Sequence, residues 1–196
     1  MKKLLLALAG CLATSAAHAA PIQWTTASGG NGHWYEFVTT ATDWNTANAN
    51  AQASTFMGLQ GHLVTITSAD ENAFVIANLP AVDTAFFTAG SDAASVNVWE
   101  WTSGPEAGTQ FSFGATAVGG AFVDWFPGEP TGGTVENYLE VARLSGSGAS
   151  YWNDIPAFAS RPYVIEYSTA AAVPLPAGVT LLLSGLGILA LRRRRT

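Results

Sequence analysis

The chain has very little cysteine and few basic residues, and each shortage narrows what the protein can be. Its 196 residues include one cysteine, Cys11, which lies in an apolar N-terminal segment. A single cysteine excludes a disulfide within the chain. The fold must therefore depend on its apolar core, for which 7 tryptophans and 10 phenylalanines are available.

Positive charge is scarce and lies mostly at the two ends. Of the 8 lysines and arginines, only Arg143 and Arg161 lie outside the first three residues and the arginine run 192–195. All 14 acidic residues lie between Glu36 and Glu166, which gives this part of the chain a formal charge of −12. Such a surface repels phosphate backbones, so nucleic acid is not expected as a partner. It suits a protein that binds cations or neutral ligands.

The N-terminus has the pattern of a secretory signal peptide over residues 1–19. Lys2 and Lys3 form a basic start, an apolar segment follows, and Ala17-His18-Ala19 is a cleavage site of the Ala-x-Ala type. The alternative is a lipoprotein signal in which Cys11 is lipidated. Either signal implies export.

The C-terminus, residues 173–196, follows the small-residue linker 169–172. It comprises Val-Pro-Leu-Pro-Ala, an apolar run over 178–191 and the arginines 192–195. The run has 14 residues, roughly 21 Å of helix, which spans a membrane only if the preceding residues extend it. This arrangement resembles the PEP-CTERM sorting signal in its Val-Pro-Leu-Pro-Ala variant. The resemblance implies a transient inner-membrane anchor that an exosortase cleaves, in a Gram-negative bacterium that makes extracellular polysaccharide. The alternative is a permanent transmembrane helix.

Two helices are predicted in the first half of the remaining chain, after a flexible lead-in at 20–32. Thr42-Asp43 caps a helix that begins at Trp44 and ends by Gly58 and Gly61. Ser68 and Glu71 form a capping box for a second helix, which runs through Leu79.

Short strands account for most of the rest and give an α+β pattern. The region 104–130 is rich in Gly and Pro and is predicted to be a long irregular loop, which is usually functional in a compact domain. The predicted strands are residues 33–38, 63–66, 86–89, 99–101, 138–143, 151–153 and 163–167.

An ordered series of motifs between residues 33 and 168 resembles the C-type lectin-like domain. The resemblance implies two helices packed on small antiparallel sheets, with a long ligand-binding loop. The motifs are Trp44-x-x-Ala47, the run 61–66 with Glu71, Phe87-Thr88-Ala89-Gly90, Trp99-Glu100-Trp101, Trp125-x-x-Gly128-Glu129-Pro130, Glu136-Asn137 and Trp152-Asn153-Asp154.

The chain departs from the family at its cross-links. By the resemblance, disulfides would join the positions of Ala51 and Ile165, and those of Tyr138 and Ala157. None of these residues is cysteine, so apolar packing must replace both bonds.

The resemblance also implies a calcium site. Its ligands would be Glu129, Glu136, Asn153 and Asp154, with Thr131 as a poorer fifth because it stands where mannose-type members have Asn. Carboxylate and amide oxygens suit Ca²⁺, which takes 6–8 oxygen ligands, and vicinal sugar hydroxyls would complete the shell. The same five residues would bind the sugar, and Trp125 would either stack on it or belong to the core.

The predicted function is calcium-dependent carbohydrate binding by an exported protein, at the cell surface or in a biofilm matrix. The alternative is a calcium-independent module for adhesion or protein contact. No enzyme is predicted, because no nucleophile motif is present and calcium binding accounts for the paired acids Glu129 and Glu136. An auxiliary calcium site at Asp92 is not expected, and His33 and His62 lack metal-binding neighbours in the sequence.

Overall fold

A computed structural model describes residues 20–78, 85–143 and 150–168. The predicted signal peptide, linker and sorting signal lie outside the described residues, and so does the apolar run 178–191. Within the described ranges, no helix is long and apolar enough to cross a membrane.

The described residues form two α-helices, eleven strands and one short 3-10 helix (Thr26–Ser28), joined by turns and loops. The helices are α1 (Trp44–Ala53) and α2 (Ala69–Asn78). The strands before α2 are β1 (Ile22–Gln23), β2 (Trp34–Thr42), β3 (Thr55–Phe56) and β4 (Leu59–Leu63). The strands after α2 are β5 (Phe86–Ser91), β6 (Val98–Trp101), β7 (Gln110–Phe113), β8 (Thr116–Ala117), β9 (Tyr138–Arg143), β10 (Ser150–Ile155) and β11 (Arg161–Tyr167).

The strands are joined through β11, which confirms the predicted α+β class. Along one path the order is β1-β2-β11-β5-β6-β7-β8, while β4 also pairs with β11, β9 with β5 and β10 with β9. The strand pairings are antiparallel, as predicted, except that β11 and β5 run parallel. Because β9 pairs with β5 and β10 with β9, the residues just before β9 lie close to the centre of the sheet.

Helix α1 begins as predicted and ends earlier than predicted. The Asp43 carboxylate accepts from the Thr46 amide (3.0 Å) and the Thr46 hydroxyl (2.7 Å), and these bonds lower the pKa of Asp43. The helix stops at Ala53. Met57 and Gly58, with φ of 50° and 81°, form the two-residue turn between β3 and β4 instead.

Helix α2 uses only half of the predicted capping box. The Ser68 hydroxyl accepts from the Glu71 amide (3.1 Å). The Glu71 carboxylate, however, accepts from the Thr67 amide (2.7 Å) and the Tyr35 hydroxyl (2.6 Å). Glu71 is 2% exposed, and burial followed by the charge of Glu166 raises its pKa. Glu71, predicted to complete a capping box, therefore ties α2 to β2 inside the core instead.

The predicted flexible lead-in at 20–32 packs on the domain. Ile22 and Gln23 pair with β2, and Trp24 is buried against Phe74, with ring centroids 5.4 Å apart. A side chain at Gly30 would lie 2.4 Å from the Trp24 ring, so glycine allows this segment to close over the indole. The burial of Trp24 is the physical reason that the segment is ordered.

The region predicted to be irregular, residues 104–130, contains β7 and β8. Gln110, Phe111, Ser112 and Phe113 alternate polar and apolar, and β7 pairs with β6. Phe111 is 1% exposed and stacks on Trp101 at 4.3 Å. This alternation is typical of a strand. The segment has only four residues and lies among glycines, so the region was predicted to be a loop.

A buried ion pair ties β11 to the start of β2. His33 Nδ1 lies 2.5 Å from Glu166 Oε1, and Glu166 is 1% exposed. The other carboxylate oxygen of Glu166 accepts from the Thr65 amide (3.1 Å). The bond to Glu166 raises the pKa of His33 although partial burial opposes the shift. The pair therefore favours the charged imidazolium.

Packing and hydrogen bonds replace both missing disulfides. Ala51 and Ile165 are fully buried, and a side chain on Gly61 would collide with both. At the second position, Trp44 makes the connection: its ring lies 4.4 Å from that of Tyr138, and its amide donates to the Ala157 carbonyl (3.0 Å). The indole Nε1 also donates to the Thr88 carbonyl (2.9 Å).

Candidate functional site

The predicted calcium and sugar ligands lie around one loop, residues 118–137, which we call the long loop. The loop runs beside β10: the Trp152 amide donates to the Asp124 carbonyl (2.7 Å), and the Phe126 amide donates to the Trp152 carbonyl (2.9 Å). Because β10 carries Asn153 and Asp154, this pairing brings the loop ligands and the strand ligands to the same part of the domain.

Asp154 holds the long loop closed. The residue is 2% exposed. Its Oδ1 accepts from the Thr131 amide (3.0 Å) and its Oδ2 from the Gly132 amide (2.7 Å). Hydrogen bonds to a charged acceptor contribute about 1.5–3 kcal/mol each. Each carboxylate oxygen keeps a lone pair, so Asp154 could hold the loop and still contact a cation.

Closure of the loop requires glycine at position 132. A Cβ on Gly132 would lie 2.0 Å from Cβ and 2.6 Å from Oε2 of Glu136. No side chain can occupy that space. The backbone of residues 131–132 therefore folds directly against Glu136, which places Thr131, Glu136 and Asp154 close together.

The Glu-Pro-Thr motif presents its acid and its hydroxyl side by side. The Thr131 hydroxyl donates to Glu129 Oε2 (2.8 Å). The Glu129–Pro130 peptide bond is cis, and the turn before it is closed by the Glu129 amide, which donates to the Phe126 carbonyl (2.8 Å). Glu129 and Thr131 are both accessible at the surface.

Glu136 lies in the field of three other carboxylates. Partial burial raises its pKa, and the charges of Asp154, Glu129 and Glu140 raise it further. Arg161 Nε donates to Glu140 (2.6 Å), whereas Glu129 and Asp154 accept their bonds from a hydroxyl and backbone amides. Negative charge is therefore concentrated at the loop, and an added cation would relieve the repulsion.

Asn153 does not join the other predicted ligands. Its Nδ2 donates to Glu140 Oε1 (3.0 Å), which lies opposite it in the β9–β10 pair. Successive side chains on a strand point to opposite faces, so Asn153 and Asp154 diverge. The structure thus brings four of the five predicted ligands to the long loop and leaves Asn153 on the other face, with Glu140 and Arg161.

Two buried oxygen atoms beside this site, Asp92 Oδ1 and Asn137 Oδ1, have no hydrogen-bond donor among the residues that the structure describes. The residues are neighbours, because the Asp92 amide donates to the Asn137 carbonyl (3.2 Å). Burial raises the pKa of Asp92, and the charge of Asp154 adds to the shift. Buried acceptors without a donor are rare in folded proteins, and a cation would satisfy both.

The donors fit Ca²⁺ in kind, although their present positions do not form a cage. Among the residues that the structure describes, no group of three acidic, histidine or cysteine side chains could hold a metal ion. The oxygens of Glu129, Glu136 and Asp154, with the unpaired acceptors of Asp92 and Asn137, are nevertheless the hard donors that Ca²⁺ prefers. Asn137 was not among the predicted ligands, although it directly follows Glu136 in the sequence.

Trp125 packs at the edge of the core, whereas Phe126, also in the long loop, exposes its ring. The Trp125 ring lies 4.9 Å from that of Trp99, and its Nε1 donates to the Ser112 hydroxyl (3.2 Å). The sugar-stacking role considered for Trp125 therefore conflicts with its packing. Phe126 is 43% exposed and its ring lies 4.8 Å from that of Tyr151. In extended backbone, successive side chains point in opposite directions, so an inward Trp125 predicts an outward Phe126.

Comparison with known proteins supports the fold. No family model matches the chain. Halomucin of Haloquadratum walsbyi is 31% identical over 155 residues, which cover 77% of this chain and 2% of that protein. Mouse C-type lectin domain family 4 member E is 26% identical over 132 residues, which cover 67% of this chain and 54% of that protein. The chain thus spans a small fraction of the first relative and about half of the second.

Solved structures match the domain over most of their own length. The C-type lectin CEL-I from Cucumaria echinata superposes with a TM-score of 0.54 at 22% identity, over 69% of this chain and 90% of that one. The C-type lectin domain of murine dendritic cell inhibitory receptor 2, solved with an N-glycan, gives 0.53 at 24%, over 70% and 91%. A calcium-independent type II antifreeze protein gives 0.54 at 20%, over 78% and 96%. The described residues between 20 and 168 have the C-type lectin-like fold.

Proposed function

We propose that this protein is an exported carbohydrate-binding protein whose site is the long loop and whose ligand contact depends on Ca²⁺. The observation that carries the proposal is the closeness of Glu129, Glu136 and Asp154. The charges of Asp154, Glu129 and Glu140 all raise the pKa of Glu136. The two unpaired oxygens of Asp92 and Asn137 support it. Binding without bond cleavage is the proposed activity.

In this proposal Glu129, Glu136 and Asp154 hold the ion. The ion supplies positive charge that neutralises these acids and offers open coordination positions to neutral oxygen atoms. Asp154 keeps the loop folded through the amides of Thr131 and Gly132. Glu129 and the Thr131 hydroxyl, side by side at the surface, provide an acceptor and a donor for adjacent sugar hydroxyls.

An aromatic surface next to the loop supports a sugar ligand. Phe126 closes the turn that leads into Glu129, and its exposed ring pairs with Tyr151. Aromatic rings pack well on the apolar faces of sugars, since they bury area without losing a polar contact. We infer that Phe126, whose ring packs against Tyr151, contacts the sugar ring while Glu129 and Thr131 contact its hydroxyls.

One observation favours the second candidate, a calcium-independent adhesion module. Both oxygens of Asp154 are already paired with backbone amides, so the long loop is closed by hydrogen bonds alone. A protein of the same fold, the antifreeze protein noted above, is described as calcium-independent. In this alternative the carboxylates shape the loop, and the exposed Phe126 would contact a partner surface.

Calorimetry and glycan binding by the intact protein distinguish the two candidates. Under the calcium proposal, millimolar Ca²⁺ raises the melting temperature and strengthens binding of the protein to neutral glycans on an array, and chelator reverses both effects. Glu129→Gln should abolish both effects and keep the fold. Phe126→Ala should weaken glycan binding and leave the calcium shift intact. A melting temperature unaffected by Ca²⁺, with glycan binding unchanged in chelator, would support the second candidate.

Export and sorting are also proposals. We propose that residues 1–19 are removed on export and that an exosortase cleaves the chain near Pro176, which releases a protein of the cell surface or the polysaccharide matrix. The sequence pattern supports this, with Pro174-Leu175-Pro176 ahead of the apolar run and the arginines. Mass spectrometry of protein from its native host should find a chain that ends near Pro176. Recovery of intact protein in the membrane fraction would instead indicate a permanent anchor.

A further inference from the structure

A second concave surface lies apart from the long loop. It is a cavity of about 660 Å³, formed where the end of α1 and the β3–β4 hairpin meet residues 102–105 and the residue after β11. Small-molecule sites usually measure about 300–1,000 Å³, so the cavity has room for a small ligand. No residue of the long loop lines it. The lining residues that matter here are Leu59, His62, Ser103, Gly104, Pro105 and Ser168.

Ser103 brings an unused hydroxyl to this cavity. The residue is 7% exposed, and within the described part of the chain its Oγ has no hydrogen-bond partner. A buried hydroxyl without a partner is unfavourable, because it has lost water and gained nothing. The Oγ atom is itself covered, and a rotation of the Ser103 side chain would turn it toward the cavity, where a ligand would supply the missing bond.

His62 and Ser168 provide a fixed acceptor in the same cavity. His62 Nδ1 lies 2.8 Å from the Leu63 carbonyl, so this nitrogen must carry a hydrogen. In the neutral ring, Nε2 is then an acceptor, and it lies 2.8 Å from the Ser168 hydroxyl. Ser168 therefore donates to His62, and its oxygen lone pairs are left for a donor from a ligand.

Gly104 brings the two polar groups together. With φ of +82°, a Cβ on Gly104 would lie 2.6 Å from Cε1 and 2.7 Å from Nδ1 of His62. The Gly104 backbone thus lies against the imidazole, and it carries the adjoining Ser103 to the His62–Ser168 pair. A side chain at position 104 would disrupt this arrangement.

Apart from His62, the walls of the cavity carry no acidic or basic side chain. This is unusual in a domain whose residues 20–168 carry a formal charge of −12. Leu59 and Pro105 add apolar surface. We propose that the cavity binds a neutral, hydroxyl-bearing ligand of the size of a mono- or disaccharide, without a metal ion. The ligand would donate to Ser168, bond to Ser103 and pack against the apolar wall.

The test uses the full-length chain in EDTA, so that any calcium-dependent site is silent. The probes are methyl α-D-mannopyranoside, methyl β-D-glucopyranoside and methyl β-D-galactopyranoside, with glucuronate as a charged control. Saturation-transfer NMR should detect at least one neutral glycoside, and the His62 imidazole signals should shift on titration while those of His33 stay fixed. Glucuronate should bind more weakly, since the domain is acidic.

Two variants test the location. Ser103→Val should weaken glycoside binding about fivefold, the value of one hydrogen bond, without lowering the melting temperature. Gln52→Trp should block the cavity from its rim, whereas Asn45→Trp on the same helix is the matched control and should bind normally. Glu129→Gln should also bind normally in EDTA, which separates this site from the long loop. Absence of saturation transfer from all three glycosides, or binding unaffected by both cavity variants, would overturn the proposal.

Discussion

The role of Asp154 in holding the long loop can be tested by replacing it with alanine. The substitution removes the acceptor for the amides of Thr131 and Gly132, which lie 3.0 and 2.7 Å from its carboxylate oxygens. Each charge-assisted bond contributes about 1.5–3 kcal/mol, but Thr131 is exposed and its amide can turn to water. We therefore expect the free energy of unfolding to fall by about 2–4 kcal/mol, a large part of the stability of a small domain.

Urea denaturation of the full-length chain without calcium measures this loss directly. Hydrogen exchange gives a second readout, because the amides of Thr131 and Gly132 should exchange much faster in the variant. Glu129→Gln is the matched control: among the described residues its carboxylate accepts only from the surface Thr131 hydroxyl, so the free energy of unfolding should change by less than about 0.5 kcal/mol. If Asp154→Ala is as stable as the control, the carboxylate does not hold the loop and the reasoning is wrong.

Three further predictions concern the long loop, a surface turn and the buried ion pair. Thr131→Asn adds a carbonyl oxygen beside Glu129 and keeps the backbone bond to Asp154. Calorimetry should therefore find that calcium and mannose-type glycosides bind about fivefold more tightly. Weaker binding would contradict this prediction. Met57→Asn should raise the free energy of unfolding by about 1 kcal/mol, because Met57 has φ of 50° in a turn that favours Asn; urea denaturation measures the gain. The stability that His33 gains from Glu166 is complete below pH 6.5 and is lost as pH rises through its raised pKa. The melting temperature should therefore decline above pH 6.5 more steeply than in His33→Gln, and parallel curves would refute this.

Local signals in the sequence were sufficient to predict the helix starts and six of the eleven strands; β1, β3, β7 and β8 were missed, and the strand predicted at 63–66 lies earlier, at Leu59–Leu63. Asp43 and Ser68 cap α1 and α2 because capping depends on residues within one turn. The other half of the predicted capping box was wrong, since the Glu71 side chain bonds to Tyr35 and Thr67, contacts that the capping pattern does not contain. Trp24 likewise fixes the lead-in through a distant ring, Phe74.

The sequence predicted which residues gather at the candidate site better than it predicted how their side chains are arranged. The motif order placed Glu129, Glu136 and Asp154 in one region because the fold fixes their strands and loop. The divergence of Asn153 from Asp154 follows from strand alternation and could have been predicted from β10 alone. The pairing of Asp154 with the loop amides could not, because it depends on Gly132 lying against Glu136, a close approach that appears only in three dimensions.

The tryptophan that stands in for a cross-link changes how the domain responds to its surroundings. Trp44 joins α1 to Tyr138, Ala157 and Thr88 through ring contact and two hydrogen bonds, and none of these contacts can be reduced. Thiol reagents and the redox potential of a compartment therefore do not break these contacts. These contacts can form in a reducing cytosol and persist in an oxidising exterior. They need no disulfide-forming oxidase and no disulfide isomerase. Heat, denaturant or a smaller side chain at position 44 would loosen them instead.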